Sequence, residues 1–146
     1  MKQPPSVQFY KSEEIADERL KYAVIMARYG GRWIFCRHKH RDTYEIPGGR
    51  REASENIDDT AKRELWEETG ACRYSLEPIC VYSVIWDDAP SYGGLYFAEV
   101  FELEPLPVES EIFELRYFDD LPEKMTYPAI QPILFEKVRE WFGENR

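Results

Sequence analysis

The chain has 146 residues, enough for one compact domain, and its 43 % hydrophobic and 15 % aromatic content is enough to bury a core. Charged residues reach 32 %, but apolar and polar segments are interleaved, which excludes a largely disordered chain. The net charge of −9 excludes the broad positive field that gathers nucleic acid nonspecifically, so a polyphosphate substrate would need bound divalent cations to offset repulsion.

Residues 1–20 show little periodicity and read as an N-terminal arm. No apolar leader and no membrane-length apolar run is visible, so a soluble cytoplasmic protein without membrane contact is the expectation. Tyr22–Arg28 has the composition of a strand, Gly30-Gly31 a tight turn, and Trp33–Arg37 a returning strand. Cys36, Cys72 and Cys80 form no C-x-x-C pair, so buried free thiols are expected rather than a zinc site. Tyr44–Ile46 reads as a short strand stopped by Pro47-Gly48-Gly49.

A helix is predicted from about Ile57 to Thr69. Asn56 caps it, Asp58 and Asp59 suit its positive end, and Gly70 provides a left-handed stop. Ile57, Ala61 and Leu65 give it an apolar stripe. Strands are predicted at Ile79–Trp86 and Leu95–Leu103, with Asp87–Gly94 between them as a loop able to act as a lid. Phe113–Phe118 is a further short strand. Ile130–Phe142 is predicted as an amphipathic helix that turns Ile130, Ile133, Leu134, Val138 and Trp141 to the core. Together these elements predict a mixed α/β sandwich in a single domain over 1–146.

Glu64, Glu67 and Glu68 stand at i, i+3 and i+4 and so share one face of the predicted helix. They lie in its last two turns, where the dipole is negative, and each like charge there costs roughly 0.3–1 kcal/mol. Only Lys62 and Arg63 are near in sequence to offset them. A divalent cation reverses the sign of that local energy, and magnesium prefers oxygen ligands and commonly bridges carboxylates to phosphates. A solvated acidic helix face is the plainer alternative on this spacing alone.

The stretch Gly49–Ala71 as a whole resembles the Nudix box: Gly49, Glu55, Arg63, Glu64, Leu65, Glu67, Glu68 and Gly70 fall at the family spacing, and Ala71 takes the last aliphatic position. Tyr29–Trp33, His38 with Arg41, and Glu45–Gly49 further resemble the Bacillus-type MutT-like branch, associated with hydrolysis of oxidised dGTP and with removal of pyrophosphate from RNA 5′ ends. The resemblance implies a Nudix α/β/α sandwich with a mixed central sheet and residues 49–71 as loop–helix–loop.

It also implies roles. Glu64, Glu67 and Glu68 would hold Mg²⁺, with Mn²⁺ as a substitute, aided by a backbone carbonyl of Gly49 or Gly48 and by Glu55 directly or through water. Arg63 would orient the carboxylates. Glu64 is one candidate general base, and Glu111 and Glu114 are candidates from a later loop. Arg37, Arg41, Gly48 and Gly49 are candidate phosphate-binding positions. His38 and His40 share one face of a strand, a spacing that suits a metal pair, but surface or hydrogen-bonding roles suit two histidines without a third ligand better. Trp33, Tyr82, Trp86 and Tyr96 are candidates to stack a base, each with core packing as the commoner role.

The implied activity is Mg²⁺-dependent hydrolysis of a nucleoside triphosphate, oxidised dGTP (8-oxo-dGTP) included, to a nucleoside monophosphate and pyrophosphate. The alternatives are an RNA 5′-pyrophosphohydrolase gripping only the first nucleotides, a hydrolase of another nucleoside diphosphate derivative, and a module that senses a nucleotide without cutting it. Monomer and homodimer are both open.

Overall fold

A computed structural model describes residues 4–144. Seven strands form one mixed sheet in the order β1-β5-β6-β2-β3-β7, with β4 added alongside β2. They are β1 (Ser6–Tyr10), β2 (Leu20–Tyr29), β3 (Arg32–His38), β4 (Gly48–Arg50), β5 (Ala71–Trp86), β6 (Ala89–Leu103) and β7 (Ile112–Phe118). The helices are α1 (Ile57–Thr69) and α2 (Gln131–Glu144). Among the described strands the β2–β6 pair is parallel and the other ladders are antiparallel, with a single parallel bridge outside them at Tyr44–Met125.

The sheet is buried on both faces, which explains the unbroken apolar run of β2. Ala23, Ile25 and Ala27 pack towards Ile57, Ala61 and Leu65 of α1. Their alternates Val24 and Met26 pack towards Leu134, Phe135 and Val138 of α2. One strand thus serves two cores, and the layers are helix, sheet, helix.

The site depends on how the sheet divides. β2 pairs with β3 only next to their turn, at Arg28–Trp33 and Tyr29–Arg32. Beyond that the strands part, and the segment 44–50 enters between them. Glu45 exchanges backbone hydrogen bonds with Cys36 of β3, Ile25 of β2 donates to the Pro47 carbonyl at 2.8 Å, and Gly48–Arg50 pair with Tyr22–Val24. Pro47-Gly48-Gly49 is therefore not a stop. It leads into β4, because proline can still accept through its carbonyl.

Three other expectations are corrected. Residues 1–20 are not simply an arm: Ser6–Tyr10 form the edge strand β1 against Val81–Ile85 of β5, while Met1–Gln3 lie outside the described residues. Asp87–Gly94 is not a lid loop. Trp86 pairs with Ala89, and Asp87 (φ 48°) and Asp88 (φ 70°) alone make the turn, in the left-handed conformation that two-residue hairpins demand. Gly93 lies within β6 because a Cβ there would stand 2.5 Å from the Tyr82 ring. β5 also begins earlier than Ile79, since Pro78 sits at a break in register rather than at the strand's end.

The terminal helix places Leu134, Phe135 and Val138 in the core but leaves Ile133 43 % exposed, so the expected inward face is turned by about one position. Phe135 is fully buried and packs edge-on against Trp33. Phe135→Ala is expected to cost about 3–5 kcal/mol, whereas Ile133→Ala should cost less than about 1 kcal/mol. Urea denaturation midpoints for the two variants check this, and equal losses would overturn the assignment of faces.

Candidate active site

Helix α1 presents its carboxylates to the inserted segment 44–50. The Asn56 side chain accepts the Asp59 N–H at 2.8 Å, and Gly70 ends the helix at φ 76°. Between these stops Leu65 faces the core, and Glu64 and Glu68 lie along the edge of that buried face. Glu64 is 8 % exposed as a residue, and the Glu68 side chain is 13 % exposed. Glu67 points further out, with a side chain 46 % exposed.

Two glycines make this approach possible. A Cβ on Gly49 would stand 1.5 Å from Oε2 of Glu64, so only glycine lets that carboxylate lie against the strand. A Cβ on Gly48 would stand 2.4 Å from the Ala23 carbonyl oxygen, so glycine there is required by the β2–β4 pairing itself. The Gly48 N–H donates to Oε1 of Glu68 at 3.0 Å.

Arg63 gathers the carboxylates from the other side. Its guanidinium donates to Glu55, to Glu64 at 3.0 Å, to Glu67 at 3.3 Å and to the Arg50 carbonyl at 2.9 Å. Glu55 also accepts from the Thr60 hydroxyl at 2.8 Å. The hydrogen bond from Arg63 holds the Glu55 carboxyl down at about 2. Burial acts in the opposite direction on the other two: it raises Glu64 to about 7, with Glu67 adding to the rise, and Glu68 to about 8, with Glu64, Glu45 and Glu67 adding. Burial, reinforced by Glu68, Glu45 and Glu64, also pushes the Cys36 thiol up.

The predicted residues divide. Gly48, Gly49, Glu55, Arg63, Glu64, Glu67 and Glu68 come together. Arg37 and Arg41 are near but already engaged: Arg37 donates to Glu114 at 2.9 Å and to the Arg41 carbonyl at 2.7 Å, and Arg41 pairs with Glu45. Glu114 is thereby removed as a base, held low by Arg37 and bonded to the Tyr44 hydroxyl. Glu111 is exposed, and its segment is tied to the helix because the neighbouring Ser110 hydroxyl donates to the Glu67 carbonyl at 2.7 Å. His38 and His40 do not share a strand face, since β3 ends at His38 and His40 turns at φ 71°. His38 instead places Nε2 3.1 Å from Glu45 and 3.5 Å from Glu68.

Glu45, buried and shared between His38 and Arg41, is the carboxylate that sequence reasoning missed. Its alternation with the inward-facing Tyr44 and Ile46 was the available signal. Of the proposed stacking residues, Trp33, Tyr82 and Tyr96 are buried in the core, and Tyr96 is bonded to Asp58. Trp86 is 48 % exposed and borders a cleft of about 470 Å³ on the α2 side of the sheet. Tyr22, Tyr127 and Gln131 also line that cleft, and Gly48 and Gly49 form part of its wall. The same two glycines therefore touch the carboxylates on one side and the cleft on the other.

Comparison with known proteins agrees with this geometry. The NUDIX domain model matches residues 17–134. The chain belongs to the Nudix family. It is accordingly a hydrolase of the acid-anhydride class, and Nudix hydrolases generally use divalent metal ions. Among its relatives is the Bacillus subtilis (strain 168) protein YtkD, provisionally named an 8-oxo-dGTP diphosphatase, 29 % identical over 92 % of this chain and 90 % of its own. A crystal structure of a mutant Bacillus subtilis pyrophosphohydrolase, BsRppH, superposes with a TM-score of 0.78, 27 % identity and 97 % coverage of both chains. A MutT Nudix hydrolase from Burkholderia pseudomallei gives a TM-score of 0.60 at 28 % identity over 80 % of this chain and 95 % of that one. Among the described residues, no helix is long and apolar enough to cross a membrane.

The donor set fits a hard divalent ion. It is all oxygen, and two of its carboxylates are buried near one another, with Arg63 beside Glu64 and with His38, the Cys36 thiol and the Gly48 N–H beside Glu68. Among the described residues no three acidic, thiol or imidazole side chains are already arranged around one point. Each glutamate is turned to a protein partner. Magnesium keeps several waters and needs only one or two direct carboxylates, so a closed protein cage is not required.

Gly49→Ala should displace the flexible end of Glu64 and cost less than about 1 kcal/mol of stability, while weakening Mn²⁺ binding at least tenfold. Gly48→Ala meets backbone and should cost about 1–3 kcal/mol or more. Calorimetric Mn²⁺ titration and thermal melts of both variants check the contrast, and the reverse ranking would refute it.

In chelator, a carboxyl whose folded pKa lies above its ordinary 4.5 keeps its proton longer in the folded chain. The contribution of Glu64 and Glu68 is therefore complete below about 4.5 and declines as pH rises towards about 8. The chelated protein is expected to lose stability between about pH 4.5 and 8, a window in which folded-state Glu55, at about 2, does not titrate. Mg²⁺ should raise the melting temperature more at the upper end, where fewer protons must be displaced. A flat profile would contradict the burial of these groups.

Proposed function

We propose that the chain hydrolyses a phosphoanhydride bond of a nucleoside triphosphate, 8-oxo-dGTP among its substrates, and releases pyrophosphate and a nucleoside monophosphate. The observation that carries this is the shared glycine wall. A base in the aromatic cleft would set its phosphates beside Glu64, Glu67 and Glu68 without any chain movement. The provisional name of YtkD supports the choice of substrate.

Glu64, Glu67 and Glu68 would hold Mg²⁺, with the Gly49 carbonyl as a candidate backbone ligand and Glu55 linked to them through Arg63. When bound, the ion shields phosphate charge and lowers the pKa of a coordinated water. Arg63 fixes the positions of the carboxylates through its hydrogen bonds. Glu64, raised to about 7, is poised to take a proton near neutral pH, and exposed Glu111 is the second candidate base. Arg37 and Arg41 reach phosphate only by leaving Glu114 and Glu45, so they position the 38–41 turn in the resting chain.

A second reading, removal of pyrophosphate from an RNA 5′ end, is supported by the likeness to BsRppH, a pyrophosphohydrolase. With a net charge of −9 the chain favours contact with the first nucleotides over extended binding.

Incubation of the full chain with Mg²⁺ and a panel of 8-oxo-dGTP, dGTP, GTP and 5′-triphosphorylated short RNA, with product identification, separates the readings. Glu67→Gln is expected to lower kcat by a factor on the order of 100 or more. Mg²⁺-independent turnover, or full activity in that variant, would remove the basis for the mechanism. Glu111→Gln against Glu64→Gln then assigns the base: only replacement of the true base should remove the acidic limb of the pH–rate profile, where activity rises as the base loses its proton.

A further inference from the structure

Gln131 opens α2 at the inner end of the cleft and is 7 % exposed. Its side-chain oxygen accepts the Ile46 N–H at 2.8 Å. A peptide N–H can only donate, so this bond fixes which end of the carboxamide is oxygen. The amide nitrogen must point the other way. It has no protein partner in the described structure, yet no buried side-chain nitrogen there is left without one. Nε2 is therefore in reach of whatever enters the cleft. The orientation is held by β4's approach segment, since Ile46 is buried in the α2-side core beside Leu134.

The cleft thus presents a fixed donor among the rings of Tyr22, Trp86 and Tyr127. Aromatic walls take any base, because every base has a π face. The donor does not. Guanine, 8-oxoguanine and hypoxanthine carry a carbonyl oxygen at C6. Adenine carries an amino group at the same place, and two donors facing each other in a closed site both lose their hydrogen bonds.

We propose that Gln131 determines base specificity by donating from Nε2 to the C6 carbonyl of a purine, so that the cleft selects 6-oxopurine over 6-aminopurine nucleotides. This rests on the nucleotide reading above, but it concerns binding rather than cleavage and can be tested apart from it.

The test compares IMP with AMP, which differ at C6 and in whether N1 carries a proton, by calorimetric titration into the full chain with Mg²⁺. IMP is expected to bind roughly 10–100-fold more tightly. Purine riboside monophosphate, which lacks any C6 substituent, should also bind more weakly than IMP. In Gln131→Glu one carboxylate oxygen can still accept from Ile46 while the other replaces the donor with an acceptor, so the IMP/AMP ratio should fall to one or below. Equal binding of IMP and AMP to the wild type, binding of neither, or an unchanged ratio in a folded Gln131→Glu variant would overturn the proposal. If that variant does not fold, the wild-type ligand series decides alone. A chain that prefers IMP but cleaves no triphosphate would sink the hydrolase reading and keep this one, whereas turnover of ITP and ATP at equal kcat/KM would do the reverse.

Discussion

The close approach of Glu64 and Glu68 to the backbone of Gly48 and Gly49 is the contact on which the site depends. Carboxylates are costly to take out of water unless charge or hydrogen bonds compensate them. Here the compensation is partial. One peptide N–H and His38 serve Glu68, and Arg63 serves Glu64 while also holding Glu55 and Glu67. The buried pair is left short of positive charge, and its raised proton affinity expresses that shortage. On the proposed reading a bound cation would relieve that shortage, and would offset the cost of three acidic residues in the last turns of the helix.

Arg63 explains why the arrangement does not scatter in the meantime. Lysine would neutralise one carboxylate as a point charge. The planar guanidinium addresses several acceptors at fixed angles and stays charged at any working pH. With Glu55 tied to it and to Thr60, Arg63 forms a rigid post between the loop 50–55 and the helix. His38 and Arg41 do the equivalent on the far side, sharing the buried Glu45. The carboxylates are thus held in a frame whose two ends are separate ion-pair networks. The parting of β2 from β3 makes room for the segment that joins them.

Much of this was legible in the chain. The helix bounds Ile57 and Thr69, the Asn56 cap and the Gly70 stop follow from side-chain chemistry within a few residues, where local rules apply. The carboxylate set follows from helical spacing and from the Nudix pattern. What was not legible depends on contacts distant in sequence. Gly93 looks like a loop residue until the Tyr82 ring is seen above it, and Asp87–Gly94 then becomes two turn residues and the start of β6. Edge strand β1 alternates over only four residues, with Val7 and Phe9 against the α2-side core, and its pairing is set by β5, distant in sequence. Glu45 belongs to the branch-like stretch Glu45–Gly49 but had no role assigned by it, Tyr127 and Gln131 carry no motif, and only the fold brings all three beside the cleft.

On the proposed nucleotide reading, the position of β4 also determines how a substrate would lie. Its two glycines are a wall one backbone thick, with acidic side chains on the α1 side and an aromatic cleft on the α2 side. An anionic chain attached to an aromatic base can satisfy both sides only by crossing that edge. On the aromatic side Arg50, beside the Tyr22 ring, is a cation in the cleft wall, while the chain's net charge of −9 repels an anion overall. Binding energy for the base on the cleft side must come from ring contact and directional hydrogen bonds, and on the acidic side from the cation. This division leaves discrimination between bases to the cleft, since the cation and the carboxylates see only phosphate. Two nucleotides with identical phosphates can be told apart here only by groups such as the Gln131 amide that face the ring.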